Sequence, residues 1–373
     1  MLAGAAWLAA TAGGRAVRDA VAPGSGADVA SLARGAWPMV AEALGSAARR
    51  GGEDAADAAR SIPAAADVTG SEGASGTRGL VAAPASGPLG VMRAGPAVDG
   101  EVAVRAARRL NRAAGTLAAS VLFDSAIEHY RGSFENKAMY TPIVVASLSV
   151  LASVHGMGDR RFGAHLARDT VYAIAGVTGI VGTGFHVYNV GKQPGGFIFQ
   201  NLFYSAPLGA PAALSLSGLM GFLAERVRNN KPGRLPRILG LSAGRVVATL
   251  SGGGLLGTMG EAGLLHFRGA YHNPFMLLPV TVPPVGAALL AGTALGPSGT
   301  RRGLTRWWLR ITALMGFAGV GFHAYGVSRN MGGWRNWSQN LLNGPPLPAT
   351  PSFTGLALAG LAALGLLEDH PDD

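Results

Sequence analysis

The stretch GIVGTGFHVYNVGKQPGG, residues 179–196, returns as GFAGVGFHAYGVSRNMGG, residues 316–333. Both copies obey G-x-x-G-x-G-F-H-x-Y-x-V, and His186 and His323 stand 137 residues apart. The same interval separates His129 from His266, Asp124 from Glu261 and Gly195 from Gly332. EHYRGSFENKAMYTP (128–142) aligns with LHFRGAYHNPFMLLP (265–279) in this register. After the Gly-Gly pair the interval grows by two residues, and QNLFYSAPLGA (200–210) aligns with QNLLNGPPLPA (339–349). A register held over so many positions is an internal duplication.

Composition sets the class. The 373 residues are 49% hydrophobic and 14% charged, with a mean hydropathy of +0.28. Lipid removes the need for a charged surface, so this balance predicts a membrane protein. There is no cysteine, which excludes disulfides, thiolate metal sites, iron–sulfur clusters and c-type haem attachment. The net charge of +10 comes from arginines clustered between apolar segments. That pattern reads as membrane topology and not as a nucleic-acid surface.

Eight apolar segments follow one another: 113–129, 139–157, 171–190, 203–224, 247–266, 275–295, 308–327 and 350–367. Most approach the ~20 residues that cross a bilayer. They are continuous, without strand-like alternation, so they predict helices. Each copy of the duplication holds four, and an even number returns the chain to its starting side. The expected fold is an all-α membrane protein, with eight transmembrane helices forming two parallel four-helix repeats. Residues 1–100, rich in Ala, Gly, Ser and Pro, predict a disordered extension. Residues 101–230 form the first repeat; residues 231–373 form the second and a short acidic tail.

The loops after the first and third helices of each copy then emerge on one face. Charge predicts which face. The opposite side carries seventeen Lys and Arg residues, within 105–112, 160–168, 226–245 and 301–310, against six on the motif side. The positive-inside rule places the motif loops outside and both termini in the cytoplasm of a bacterial inner membrane.

Three features could carry chemistry. On a helix, Gly179 and Gly182 share the face of His186, as Gly316 and Gly319 share that of His323. This suits either close helix packing or a flat ligand such as haem or a quinone ring lying on the glycines. The H-[YF]-R-G-x-[FY]-x-N loops offer Arg131 and Arg268 as planar donor forks and Asn136 and Asn273 as mixed donors and acceptors. They either satisfy a tight turn or line one polar pocket. Asp124 and Glu261 lie inside apolar runs, where a carboxylate is costly unless it has a partner. They could serve protons, orient a histidine or cap a neighbouring helix. No nucleophile elbow, Walker loop or HExxH helix is present.

FHVYNVGKQPGGFIFQNLFYSAPLGAP (185–211) and HYRGSFENKAMYTP (129–142) resemble a bacterial family of multi-pass membrane proteins, over about residues 110–366. The resemblance implies a setting near periplasmic flavin-dependent dehydrogenases of the glucose–methanol–choline type. It supplies no catalytic residues. Three functions are expected. One is an electron-transfer membrane subunit that anchors a periplasmic oxidoreductase and holds haem b or a quinone through His186 with His323, or His129 with His266. The second is a small-anion transporter or channel using Arg131, Arg268, Asp124 and Glu261. The third is a structural or assembly protein.

Overall fold

The computed structural model describes residues 96–205, 207–230, 236–238, 240–295 and 302–368. Of the extension expected over residues 1–100, residues 1–95 lie outside the described residues, as does most of the acidic tail. The described residues fall within one compact unit and are helical apart from one two-residue strand pair, Arg237–Ile238 with Leu241–Ser242.

Ten α-helices are described: α1 Pro96–Arg131, α2 Thr141–Gly158, α3 Leu166–Gly191, α4 Phe199–Tyr204 and α5 Gly209–Arg228; then α6 Ala243–Arg268, α7 Leu278–Leu295, α8 Arg302–Arg329, α9 Trp337–Asn343 and α10 Pro351–Glu368. Each of the eight apolar segments coincides with a long helix to within a few residues, except two. Helix α1 begins at Pro96, so it takes in the last residues of the expected extension. The segment 203–224 is broken. Pro207 has no N–H to continue a helix, so the chain ends the short α4 at Tyr204 and starts α5 at Gly209, with Pro211 in the first turn where no N–H is needed. The second copy makes the same break before α10.

Five helical stretches are long and apolar enough to cross a membrane: 137–158, 166–191, 274–295, 302–329 and 351–368. The first four contain α2, α3, α7 and α8 and lie at the periphery, with no more than 28% of their apolar windows buried. Their outward faces carry large apolar side chains such as Leu151, Ile180 and Leu314, which suits a lipid environment. The fifth is α10, with 78% of its window buried.

Contacts follow the duplication. Helix α1 packs on α2 and α5, and α3 packs on α5; in the second copy α6 packs on α7 and α10, and α8 packs on α10. Two seams join the copies. At one, α10 lies along α1; at the other, α5 meets α6 over a shorter stretch. The core holds Leu110, Leu117, Met220, Leu255 and Leu364 of α1, α5, α6 and α10, joined by the inward-facing Leu290 of α7 and Leu309 of α8.

Candidate functional site

The two motif loops fold identically, and local chemistry explains why. His129, near the end of α1, bonds through Nδ1 to the Met139 carbonyl at 2.5 Å, and His266 bonds to the Met276 carbonyl at 2.9 Å. Between them the chain turns through left-handed residues, Ser133 and Phe134 in one copy and Ala270 and Tyr271 in the other. Asn136 then caps a short 3₁₀ turn by accepting from Ala138 N at 2.9 Å, and Asn273 accepts from Phe275 N at 3.0 Å. The asparagines therefore serve the turn.

The other two histidines behave alike. His186 Nδ1 bonds to the Pro207 carbonyl at 2.6 Å, and His323 Nδ1 to the Pro346 carbonyl at 2.8 Å. A carbonyl oxygen can only accept, so Nδ1 carries the proton in all four rings. In its neutral form each imidazole then presents Nε2 as an acceptor. The rings associate within a copy: His266 and His323 lie 6.3 Å apart in an edge-to-face contact, and His129 lies near His186. The proximities recorded among the described residues are thus His266 with His323, in ring contact, and His129 with His186.

The arginines bind the copies together. Arg131 bonds to Glu128 at 3.0 Å and donates to the Leu342 carbonyl of α9. Arg268 stacks on Phe203 and Tyr204 of α4, its guanidinium carbon 5.7 and 5.4 Å from the ring centres. Each arginine therefore grips the short helix, α9 or α4, of the other copy.

The carboxylates differ. Glu261 Oε1 accepts from Gly209 N at 2.8 Å and so caps the start of α5 across the seam. This is one of the roles open in the sequence, and the positive end of the helix favours it. The mirror position of Gly209 is Pro348, which has no N–H. Asp124 is only 8% exposed and makes no hydrogen bond among the described residues. Ser120, one turn earlier, spends its hydroxyl on the Pro348 carbonyl and on Ser352 Oγ at 2.9 Å.

The repeated glycines are used for packing. A Cβ on Gly179 would overlap the Pro211 carbonyl and Ser215 backbone of α5, and one on Gly182 would lie 3.1 Å from Pro211 Cβ. Gly316 would meet Thr354 N at 2.9 Å, and Gly319 the Thr350 Cβ at 3.0 Å. Of the two sequence readings, a helix surface and not a flat ligand occupies the Cβ side of these four glycines.

A different set of glycines is bare. Gly253, Gly257 and Gly260 lie on one face of α6, and a Cβ at any of them would meet nothing within 4 Å. They line a cavity of about 2440 Å³ at the α5–α6 seam. Its walls are mainly apolar, with Leu216, Leu256 and Phe353 among them, and Glu261, His266, His323, Arg268 and Asp124 also line it. The first copy has Thr116, Ser120 and Phe123 where the second has these glycines. Sequence reasoning missed them, although the divergence between the copies marks the spot: at the middle position Ser120 of the first copy bonds to Ser352 of α10, whereas Gly257 of the second meets nothing.

At the opposite end of the bundle lies a buried ion network that sequence reasoning took only for topology charge. Arg168 bonds to Glu225 at 2.9 and 3.0 Å and to Asp159 at 2.8 Å. Arg228 donates to the carbonyls of Gly156, Asp159 and Arg161. Burial works against the Asp159 carboxylate, but the Arg161 N–H and the Arg168 and Arg228 guanidiniums outweigh it and hold its pKa at about 2.

No family model, curated protein or solved structure matches the chain. Among the described residues no three His, Cys, Asp or Glu side chains group as a metal site.

Proposed function

We propose that this is an integral protein of a bacterial inner membrane, with eight helices crossing as two parallel four-helix copies and with the motif loops outside. In this reading the α5–α6 seam holds a membrane-borne molecule that has a hydroxyl head and a long apolar body, namely a quinol. The observation that carries the proposal is the cavity itself. Its floor is a row of bare glycines, and it reaches two imidazoles whose Nδ1 atoms are taken by backbone carbonyls, which leaves Nε2 of the neutral ring to accept a hydrogen bond. A quinol O–H meets that requirement, whereas an oxidised quinone carbonyl does not. The cavity exceeds the ~300–1,000 Å³ of ordinary small-molecule pockets, which suits a long-chain occupant. An electron-transfer partner such as a periplasmic dehydrogenase would dock over the motif loops.

The test is the lipid extract and absorption spectrum of the purified protein. We expect near-stoichiometric quinone in the wild type. Gly257→Leu, which fills the seam, and His323→Ala, which removes an acceptor, should both lose it while the protein still inserts. A Soret band instead would assign the His266–His323 pair to b-haem and replace the quinol reading. The small-anion route has less support, because Arg131 and Arg268 are committed to contacts between the copies. Absence of both quinone and haem from the wild type would leave the structural or assembly role.

A further inference from the structure

The two carboxylates occupy equivalent places and yet live differently. Glu261 has a donor, the Gly209 N–H at 2.8 Å. The residue equivalent to Gly209 is Pro348, which has no N–H and whose carbonyl takes the Ser120 hydroxyl one turn before Asp124, and Asp124 has no donor among the described residues. Its charged neighbours are Glu128, Glu261 and Arg131. Arg131 is engaged by Glu128 at 3.0 Å and by the Leu342 carbonyl, and Ser120 is tied to α10. A carboxylate only 8% exposed without a donor is costly. It also lines the cavity.

We infer that Asp124 is a second anchor of the seam site, accepting an O–H or N–H hydrogen from the occupant at a place where the other copy has closed the equivalent position with a backbone cap. The inference rests on the quinol reading for the source of that donor. The same chemistry could come from the amine head of a phospholipid. The glutamate copy is structural because its helix start offers an N–H. The aspartate copy is available because a proline withholds one. Duplication thus provides one carboxylate to hold the fold and one to hold a ligand.

The test uses the full chain in detergent, with a short-chain ubiquinol as probe. Asp124→Leu should weaken quinol binding by ~10-fold or more, the usual scale for losing a hydrogen bond to a charged acceptor. Its melting temperature should be unchanged or higher, since an unpaired buried carboxylate has gone. Pro348→Gly, which offers Asp124 the N–H that Gly209 gives Glu261, should also weaken binding without altering the carboxylate. A fall of several degrees in melting temperature at unchanged quinol affinity would make Asp124 structural and overturn the inference. If the wild type binds no quinol, the functional reading fails separately. Retention is then compared in vesicles of phosphatidylethanolamine and of phosphatidylcholine. Retention of phosphatidylethanolamine that is lost in Asp124→Leu sustains the anchor with a lipid amine as donor. Retention of neither lipid overturns it.

Discussion

Glycine has two jobs in this protein, and they are separated by what stands opposite. At Gly179 and Gly316 the neighbouring helix backbone fills the place of a side chain; at Gly257 the place is empty. Gly179→Ala should therefore destabilise the bundle by about 1–3 kcal/mol, the usual cost of overpacking a tight contact. Gly257→Ala should be neutral or stabilise by up to ~1 kcal/mol, because alanine is the better helix former. Thermal melts of the two variants in one detergent check this, and equal losses would refute the distinction. The sequence displayed both sets of glycines but not their partners. Repetition went with packing at Gly179/Gly316 and Gly182/Gly319, where both copies build the same helix contact, but not at Gly184/Gly321, where a Cβ would meet nothing within 4 Å. The unrepeated glycines of α6 carried the cavity, and only comparison of the two copies position by position could have exposed them.

The helices were legible because their apolar runs are long and uninterrupted, and the breaks before α5 and α10 follow from prolines visible in the chain. The motif loops were legible as turns, but their destinations were not. Nothing local says that Arg131 reaches α9 or that Glu261 caps α5, since both contacts cross the seam between copies. The same holds for Arg168 and Glu225, which are 57 residues apart and share no helical period. This network joins the end of α2, the start of α3 and the end of α5. Asp159, its outermost member, has a pKa lowered from an ordinary 3.8 to about 2. A carboxylate lowered on folding adds stability above its unfolded pKa and loses it as pH falls through its folded one. Stability should therefore drop between about pH 4 and pH 2, and Asp159→Asn should flatten that drop. The substitution should cost about 1 kcal/mol at neutral pH, after allowance for solvent screening. Denaturation in detergent against pH measures both effects; an Asn variant with the wild-type acid profile would remove Asp159 from the account.

At the scale of the whole molecule the copies share one plan and differ at their seams. Leu117 of α1 fills the space over Gly355 of α10, whereas a Cβ on Gly254 of α6 would meet Leu356 of α10 at 2.5 Å and Leu216 of α5 at 3.1 Å. Knob and hole are exchanged, and one seam closes while the other opens. Orientation in the membrane follows from charge. Among the described residues of the side proposed to be inner, Arg168, Arg226, Arg228 and Arg306 make ion pairs. Acidic partners weigh little in the positive-inside rule, so the comparison of seventeen with the six beside the motif loops stands. Helices α3 and α5 should therefore carry the chain out at Lys192 and back in by Lys231. Reporter fusions after these two lysines should mark opposite compartments, the first exoplasmic and the second cytoplasmic. Signals from a single compartment would deny that α5 crosses, and with it the even count of helices in each copy. Opposite compartments in reversed order would keep the helices and invert the protein, which would move the seam histidines to the cytoplasmic face and exclude a periplasmic partner over the motif loops.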